Sequence, residues 1–314
     1  MNVSILKRAV LEGIGSASGV EVVEGMIYIV SDDSQYLYKL NYALEIKEKI
    51  SLYDSGFSDP DKISKKEKAD LECMAQLSIN GYKHLLLMGS GSLSPQRDKG
   101  FLVKLPTNYN RKHQVWAIDF SAFFGLLKRN DDITTSAEIN LEGLAFGKEN
   151  VLLLNRFNPS GSKNVVLAFK KEEFIEFIQG HMDGLPFPSV EPIELPSIES
   201  VPFGFSGADC FDGVFLFTAS AEDTSNAIDD GNVLGSMVGV LEITPVDSGR
   251  SGIRNIPSLK SCVVVKDEKG NTYTGKIESL SGYEKDSDSS YTFIAVTDSD
   301  GGKSEILMLQ IDLA

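Results

Sequence analysis

The chain has 314 residues, of which 42% are hydrophobic; that is enough to bury a large core, and length alone leaves one domain or two open. Its 45 acidic and 30 basic residues give a net charge of -15. A surface of that sign repels phosphate backbones and anionic lipid over a Debye length of about 8 Å, which argues against nucleic acid and membrane as partners. The three cysteines, Cys73, Cys210 and Cys262, lie far apart in apolar runs and read as buried thiols, with neither a disulfide frame nor a metal cluster among them.

Residues 1–13 contain no apolar stretch long enough for a signal core, and nowhere do about 18 apolar residues run together. A soluble monomer, cytoplasmic by default, is expected. Residues 5–11 form a strand candidate with no neighbour to pair with. Then comes Ala17-Ser18-Gly19-Val20, an apolar strand at 26–30, a polar tail Ser31-Asp32-Asp33-Ser34, and further strands at 36–40 and 44–52. Residues 54–70, rich in Ser, Asp and Lys, read as a solvated excursion.

The order then repeats. Asp70-Leu71-Glu72-Cys73-Met74 precedes a strand at 85–88, the tail Gly89-Ser90-Gly91-Ser92, and strands at 101–105 and 115–120. A helix at 120–128 leads to Asn140-Leu141-Glu142-Gly143-Leu144, a strand at 151–154, the tail Asn155-Arg156-Phe157-Asn158, a strand at 165–169, a helix at 171–179 and a strand at 192–195. Phe205-Ser206-Gly207-Ala208 opens the fourth unit, with strands at 214–217, 238–243 and 261–266 and the tail Thr218-Ala219-Ser220-Ala221. Lys276-Ile277-Glu278-Ser279-Leu280 opens the fifth, with strands at 293–296 and 306–311 around Thr297-Asp298-Ser299-Asp300. The residue after the serine or glutamate of each opening segment is small: Gly19, Cys73, Gly143, Gly207 and Ser279.

Five repeats of a four-stranded unit are what a β-propeller requires, because each blade buries its faces only against its neighbours. The reading is all-β: one propeller domain over 1–314, with blades at 17–53, 70–120, 140–196, 204–267 and 276–314 plus 4–12. The N-terminal strand supplies the strand that the last unit lacks and leaves no open edge. Six blades are the alternative, if 186–202 hides another.

In such a blade the starts of first strands and the tails of second strands share one face. Ser18, Glu72, Glu142, Ser206 and Glu278 then ring the channel mouth, with Asp32, Asp33, Ser90, Arg156, Ser220 and Asp298 around them. Converging carboxylates raise one another's pKa, and a hard cation such as Ca2+ would relieve this, so Glu72, Glu142 and Glu278 are candidate metal ligands. The competing reading makes these glutamates hydrated groups or clamps on neighbouring backbone. None of His84, His113 and His181 falls in the ring, which argues against zinc or a histidine-centred hydrolase. Arg156, the one basic residue in the predicted rings, would orient an anion or pair with a carboxylate. The loop 220–235 carries Glu222 and Asp223, candidate helpers in catalysis, and Asp229-Asp230-Gly231-Asn232, a weak calcium-loop pattern. The Gly89-Ser90-Gly91-Ser92 run lacks a nucleophile elbow or a Walker sequence and reads as a turn.

The Leu-Glu-Gly-Leu blade start, Gly25-Met26-Ile27-Tyr28-Ile29-Val30-Ser31-Asp32-Asp33-Ser34, and Thr218-Ala219-Ser220-Ala221-Glu222-Asp223-Thr224 with Gly235-Ser236 resemble bacterial propellers described as phytase-like or esterase-like. That resemblance implies bound calcium and an anionic substrate gripped by lysines and arginines. It leads to two expectations: a calcium-dependent hydrolase of phosphoesters or esters at the channel mouth, or a non-catalytic propeller that binds a small anionic molecule or a protein on the same face.

Overall fold

In the computed structural model, residues 1–54, 57, 59, 62–107, 112–159, 161–223, 231–247, 253–298 and 303–313 are described. Their strands form five antiparallel sheets arranged as a five-bladed propeller. Blade one is β2 (Ala17–Val23), β3 (Met26–Ser31), β4 (Tyr36–Leu40) and β5 (Ile46–Ser51). Blade two is β6 (Leu71–Ile79), β7 (Tyr82–Gly89), β8 (Lys99–Lys104) and β9 (Gln114–Asp119). Blade three is β10 (Leu141–Phe146), β11 (Asn150–Asn155), β12 (Val165–Lys170) and β13 (Ser189–Pro192). Blade four is β15 (Val201–Phe211), β16 (Val214–Asp223), β17 (Asn232–Asp247) and β18 (Ile253–Val264), with the two-residue β14 (Ser197–Ile198) added beside β15. Blade five is β19 (Lys276–Lys285), β20 (Ser290–Asp298) and β21 (Ser304–Asp312), closed by β1 (Asn2–Leu11) pairing antiparallel with β21.

The second strand of each blade is a continuous apolar run because both of its faces are buried. Leu85 and Leu87 face the core between blades one and two, whereas Leu86 and Met88 face the core between blades two and three. The same alternation divides Ile27 and Ile29 from Tyr28 and Val30. Five apolar clusters result, one at each blade interface. Helices α1 (Ser121–Leu127) and α2 (Lys171–Ile178) thicken the interface of blades two and three, where Phe123 touches Phe124, Phe169 and Phe174 edge-on or tilted. Among the described residues, no helix is long and apolar enough to cross a membrane.

Some details differ from the sequence reading. The fourth strand of blade three lies at Ser189–Pro192, earlier than 192–195, because its ladder to β12 runs from Ala168↔Ser189 to Val165↔Pro192. Residues 186–202 hide no sixth blade: they supply β13 and then β14, which turns into β15 through Glu199 and Ser200, both at positive φ as a tight two-residue hairpin requires. Of the cysteines, Cys73 is buried but Cys210 and Cys262 are only half-buried. Strands β16 and β17 run well into the expected loop at 220–235, and Asp229 and Asp230 lie outside the described residues.

Each inner strand has a β-bulge at the same place. Register shifts fall between Ala17 and Gly19, Leu71 and Cys73, Leu141 and Gly143, Phe205 and Gly207, and Ile277 and Ser279. The skipped residues are Ser18, Glu72, Glu142, Ser206 and Glu278. The small residue that follows lets neighbouring inner strands approach: a Cβ on Gly207 would stand 2.4 Å from the carbonyl oxygen of Glu278. Gly207→Ala is therefore expected to destabilise by about 1–3 kcal/mol in urea unfolding. Gly125→Ala, with only Arg129 near its added methyl group, is expected to gain about 0.5–1 kcal/mol of helix propensity.

Candidate functional site

The bulge turns an extra side chain toward the axis at the mouth of the channel, and a cavity of about 320 Å3 opens there. Ser18, Glu72, Glu142 and Glu278 line it, as do the residues two positions earlier, Ser16, Asp70, Asn140 and Lys276, because alternate strand residues share a face. Ends of second strands lie opposite these starts: Ala17 pairs with Ser31, Leu141 with Asn155 and Lys276 with Asp298. Asp32, Arg156, Ser220, Glu222, Asp223 and Asp298 accordingly line the cavity too.

Three predicted positions serve the site from outside it. Ser206 is buried and donates to the carbonyl of Ile277 at 2.6 Å, linking blades four and five. Ser90 is buried and donates to Asp70 Oδ2 at 2.5 Å. Asp33 accepts from Ser31 at 2.8 Å. Ser18, at the mouth itself, donates to the carbonyl of Leu71 at 2.5 Å and clamps blade one to blade two.

Arg156 is not the one cation of this face. Lys65, Lys68, Arg97 and Lys276 line the same cavity. Lys276 is two residues ahead of a bulged glutamate, a period-two signal legible in the sequence. Lys68 and Arg97 come from loops and have no such signal; Lys68 belongs to the excursion read as solvated, yet it is 7% exposed. It bridges Asp32 and Asp70, with 2.8 Å to Asp70 Oδ1. Arg97 Nη1 donates to Asp70 Oδ2 at 2.6 Å and to Ser92 at 2.7 Å. Lys276 sits 2.8 Å from Glu278 Oε1 and 3.6 Å from Glu222. Arg156 donates to the carbonyl of Phe205, to Ser220 and, at 2.8 Å, to Glu222.

These pairings sort the carboxyl groups. Burial works to raise Asp70, but Lys68 and Arg97 hold it below the usual carboxylate range. Burial is likewise outweighed at Glu222, by Lys276 and Arg156. Asp32 is pushed up to about 6 by burial despite Lys68. Glu142 is pushed to about 8 by burial, with Glu278 adding to the rise and Arg156 and Lys276 opposing it; Asn140 Nδ2 donates to its Oε1 at 2.5 Å. Glu72 is raised well above the carboxylate range by burial and then by Glu142. Glu278 is raised by burial against the pull of Lys276, and its Oε2 has no hydrogen-bond partner.

The predicted calcium ligands do not close on one point. Among the described residues, the carboxylates whose oxygens come within 4.8 Å of one another are Asp32, Asp70 and Glu72, and Lys68 is bonded into that trio. Glu278 is occupied by Lys276, and Glu142 by Asn140. Lys68, paired with two of these three carboxylates, supplies there the positive charge that a hard cation would otherwise supply.

Three residues further along the inner strands, Glu21 is buried and Asp209 half-buried. They accept from backbone N–H groups of the next blades, Gln76 at 3.1 Å and Gly282 at 2.7 Å, and so act as stitches between blades.

Residues 13–311 match the family of unknown function DUF6929. The chain belongs to this family. No curated protein matches the sequence. Solved structures with a similar fold include the glutaminyl cyclase of Myxococcus xanthus, at 8% identity over 99% of this chain and 97% of that one, with a TM-score of 0.46. The arabinanase of Bacillus subtilis shows 10% identity over 94% and 93%, with a TM-score of 0.40. A mutant Trypanosoma rangeli sialidase displaying trans-sialidase activity shows 9% over 95% and 54%, with a TM-score of 0.42. Likenesses at this level carry no argument about chemistry. The family shown is this one, and no phytase-like or esterase-like family is shown.

Glu142 sets a sign for stability in this family member. Its carboxyl holds a proton in the folded chain up to about pH 8 and in the unfolded chain only to its ordinary value of 4.5. The folded state is therefore unpenalised below pH 4.5 and loses stability as pH rises toward 8. Glu142→Gln should remove that slope, being more stable than wild type by a few kcal/mol at pH 8, with the gap closing toward pH 4.5 in denaturant titrations.

Proposed function

We propose that the channel mouth is an acid–base hydrolytic site that works without a metal. What supports this most is that two carboxyl groups on one cavity are raised to different extents, the half-buried Asp32 to about 6 and the buried Glu142 to about 8. Groups pushed apart in this way divide into a base and an acid at neutral pH. Asp32, ionised above pH 6, takes a proton from an attacking water. Glu142, protonated below pH 8, gives its proton to the departing oxygen. Water oxygen bonds to the substrate as the bond to the leaving group breaks, and the two proton transfers balance.

The cations serve this chemistry by positioning. Lys68 keeps Asp32 ionised at a lower pH than burial alone would allow. Arg156 holds Glu222 and the end of β16 against blade three, and Gly204 makes room for it, since a Cβ there would meet Arg156 Cγ at 2.8 Å. Asp223 lines the cavity as an exposed group at the end of β16 and takes no assigned step. The calcium-dependent form of the hydrolase would have to accommodate Lys68 beside Asp32 and Asp70.

On substrates with a 4-nitrophenyl leaving group, kcat/KM should rise through about pH 6, fall through about pH 8 and be unchanged by a chelator. Asp32→Asn should lose the acid limb and Glu142→Gln the alkaline limb, each with a loss of about 10²–10⁴ in rate. A rate indifferent to both substitutions would leave the face to the binding-scaffold reading; loss of activity with the chelator would restore the metal.

A further inference from the structure

The hydrolytic reading leaves the substrate open, and the charge inventory of the cavity narrows it. Eight carboxyl side chains line it against five cations. Each of those cations is already engaged. Arg156, Lys276, Lys68 and Arg97 are held by the carboxylates, hydroxyls and carbonyl described above, and Lys65 is not free. Three of the eight carboxyl groups, Glu72, Glu142 and Glu278, are raised by burial, so the cavity has no excess of positive charge to draw an anionic substrate.

The cavity leaves donors and acceptors unmade alike: Arg97 Nε and Asn158 Nδ2 are buried without partners, and a hydroxyl group, which both donates and accepts, can serve either kind. Glu278 has a side chain only 5% exposed, lines the cavity, and leaves Oε2 without a partner. Asp32 Oδ1 is buried and unpartnered on the same cavity. A buried acceptor left unmade is costly, more so when charged, so an occupant that donates to it gains what an occupant without donors cannot. A plain apolar ester offers nothing to these oxygens.

The rim supplies the other half of the pattern. Phe157, Pro159, Val201 and Pro202, from the third blade's second-strand tail and the start of β15, give an otherwise polar cavity one apolar ledge. Phe157 is half-buried. A ligand that suits both halves carries hydroxyl groups around its edge and C–H groups on its face, is uncharged, and is small, since about 320 Å3 lies at the low end of ligand pockets.

We infer that the substrate is a small uncharged glycoside whose hydroxyl groups donate to Glu278 and whose ring lies against Phe157. This rests on the hydrolytic reading above. In the reaction the glycosidic C–O bond breaks and water oxygen bonds to the anomeric carbon. Asp32 takes the water proton, and Glu142 protonates the leaving oxygen.

The test is steady-state hydrolysis of a panel of 4-nitrophenyl pyranosides and furanosides, beside 4-nitrophenyl phosphate and 4-nitrophenyl acetate. At least one glycoside should be turned over ten-fold or more above either of the other two. Phe157→Ala should raise KM for that glycoside about ten-fold with a smaller change in kcat, its folding checked by circular dichroism. Glu278→Gln, whose Oε2 becomes a donor if the amide faces the cavity, should do the same. Turnover of the phosphate or the acetate alone, with both pH limbs present, overturns the glycoside and leaves the hydrolase standing. No turnover of any probe overturns both. A glycoside whose KM ignores Phe157→Ala and Glu278→Gln overturns the assigned contacts.

Discussion

The structure depends on how closely five inner strands can approach a common axis. At that distance there is room for only a small side chain or none at the residue after each bulge, which is why Gly19, Gly143 and Gly207 recur there and why Cys73 and Ser279 are the largest residues in the set. The bulge itself follows from the same crowding: one residue is left out of the ladder, the strand bends, and the skipped side chain turns to the channel. Where that side chain is a serine, it bonds the next blade's carbonyl, as Ser18 and Ser206 do. Where it is a glutamate, it becomes a carboxyl group held out of water. One packing constraint thus yields both the clamps of the ring and the chemistry of its mouth.

A ring of acids in a closed place has to be neutralised by protons, by protein cations or by bound cations. Here the first two share the task. Asp70 and Glu222 are ionised because Lys68, Arg97, Lys276 and Arg156 stand beside them. At Glu72 and Glu142 burial outweighs the cations, and both carboxyl groups are raised instead. Removing one member of such a network leaves a charge buried without its partner, so these pairs hold the mouth in one arrangement more than they add to its stability. Held arrangement is what a proton donor and a proton acceptor need if they are to stay in their roles between turnovers.

The fold was legible in the sequence because propeller repeats leave a signal at every level: apolar second strands, a small residue after each bulged position, and an N-terminal strand short of a partner. The site was half legible. Glu72, Glu142, Glu278, Asp32 and Arg156 follow from the repeat, and Lys276 and Asn140 could have been found by stepping back two residues along each inner strand. Lys68 and Arg97 could not, since they reach the mouth from loops whose path is set by tertiary packing and not by strand period. That omission matters chemically. With a single arginine on the face the carboxylates call for a metal ion; with Lys68 between Asp32 and Asp70 they already have their cation.

The central claim is that a carboxyl group at the channel mouth is protonated at neutral pH because it is buried beside other acids. Infrared difference spectroscopy between wild type and Glu142→Gln at pH 7 observes that proton directly. A protonated carboxyl C=O band present in wild type, absent from the variant and lost as pH passes about 8 is the result predicted. An ionised Glu142 at pH 7, seen as a carboxylate band in its place, would contradict the account.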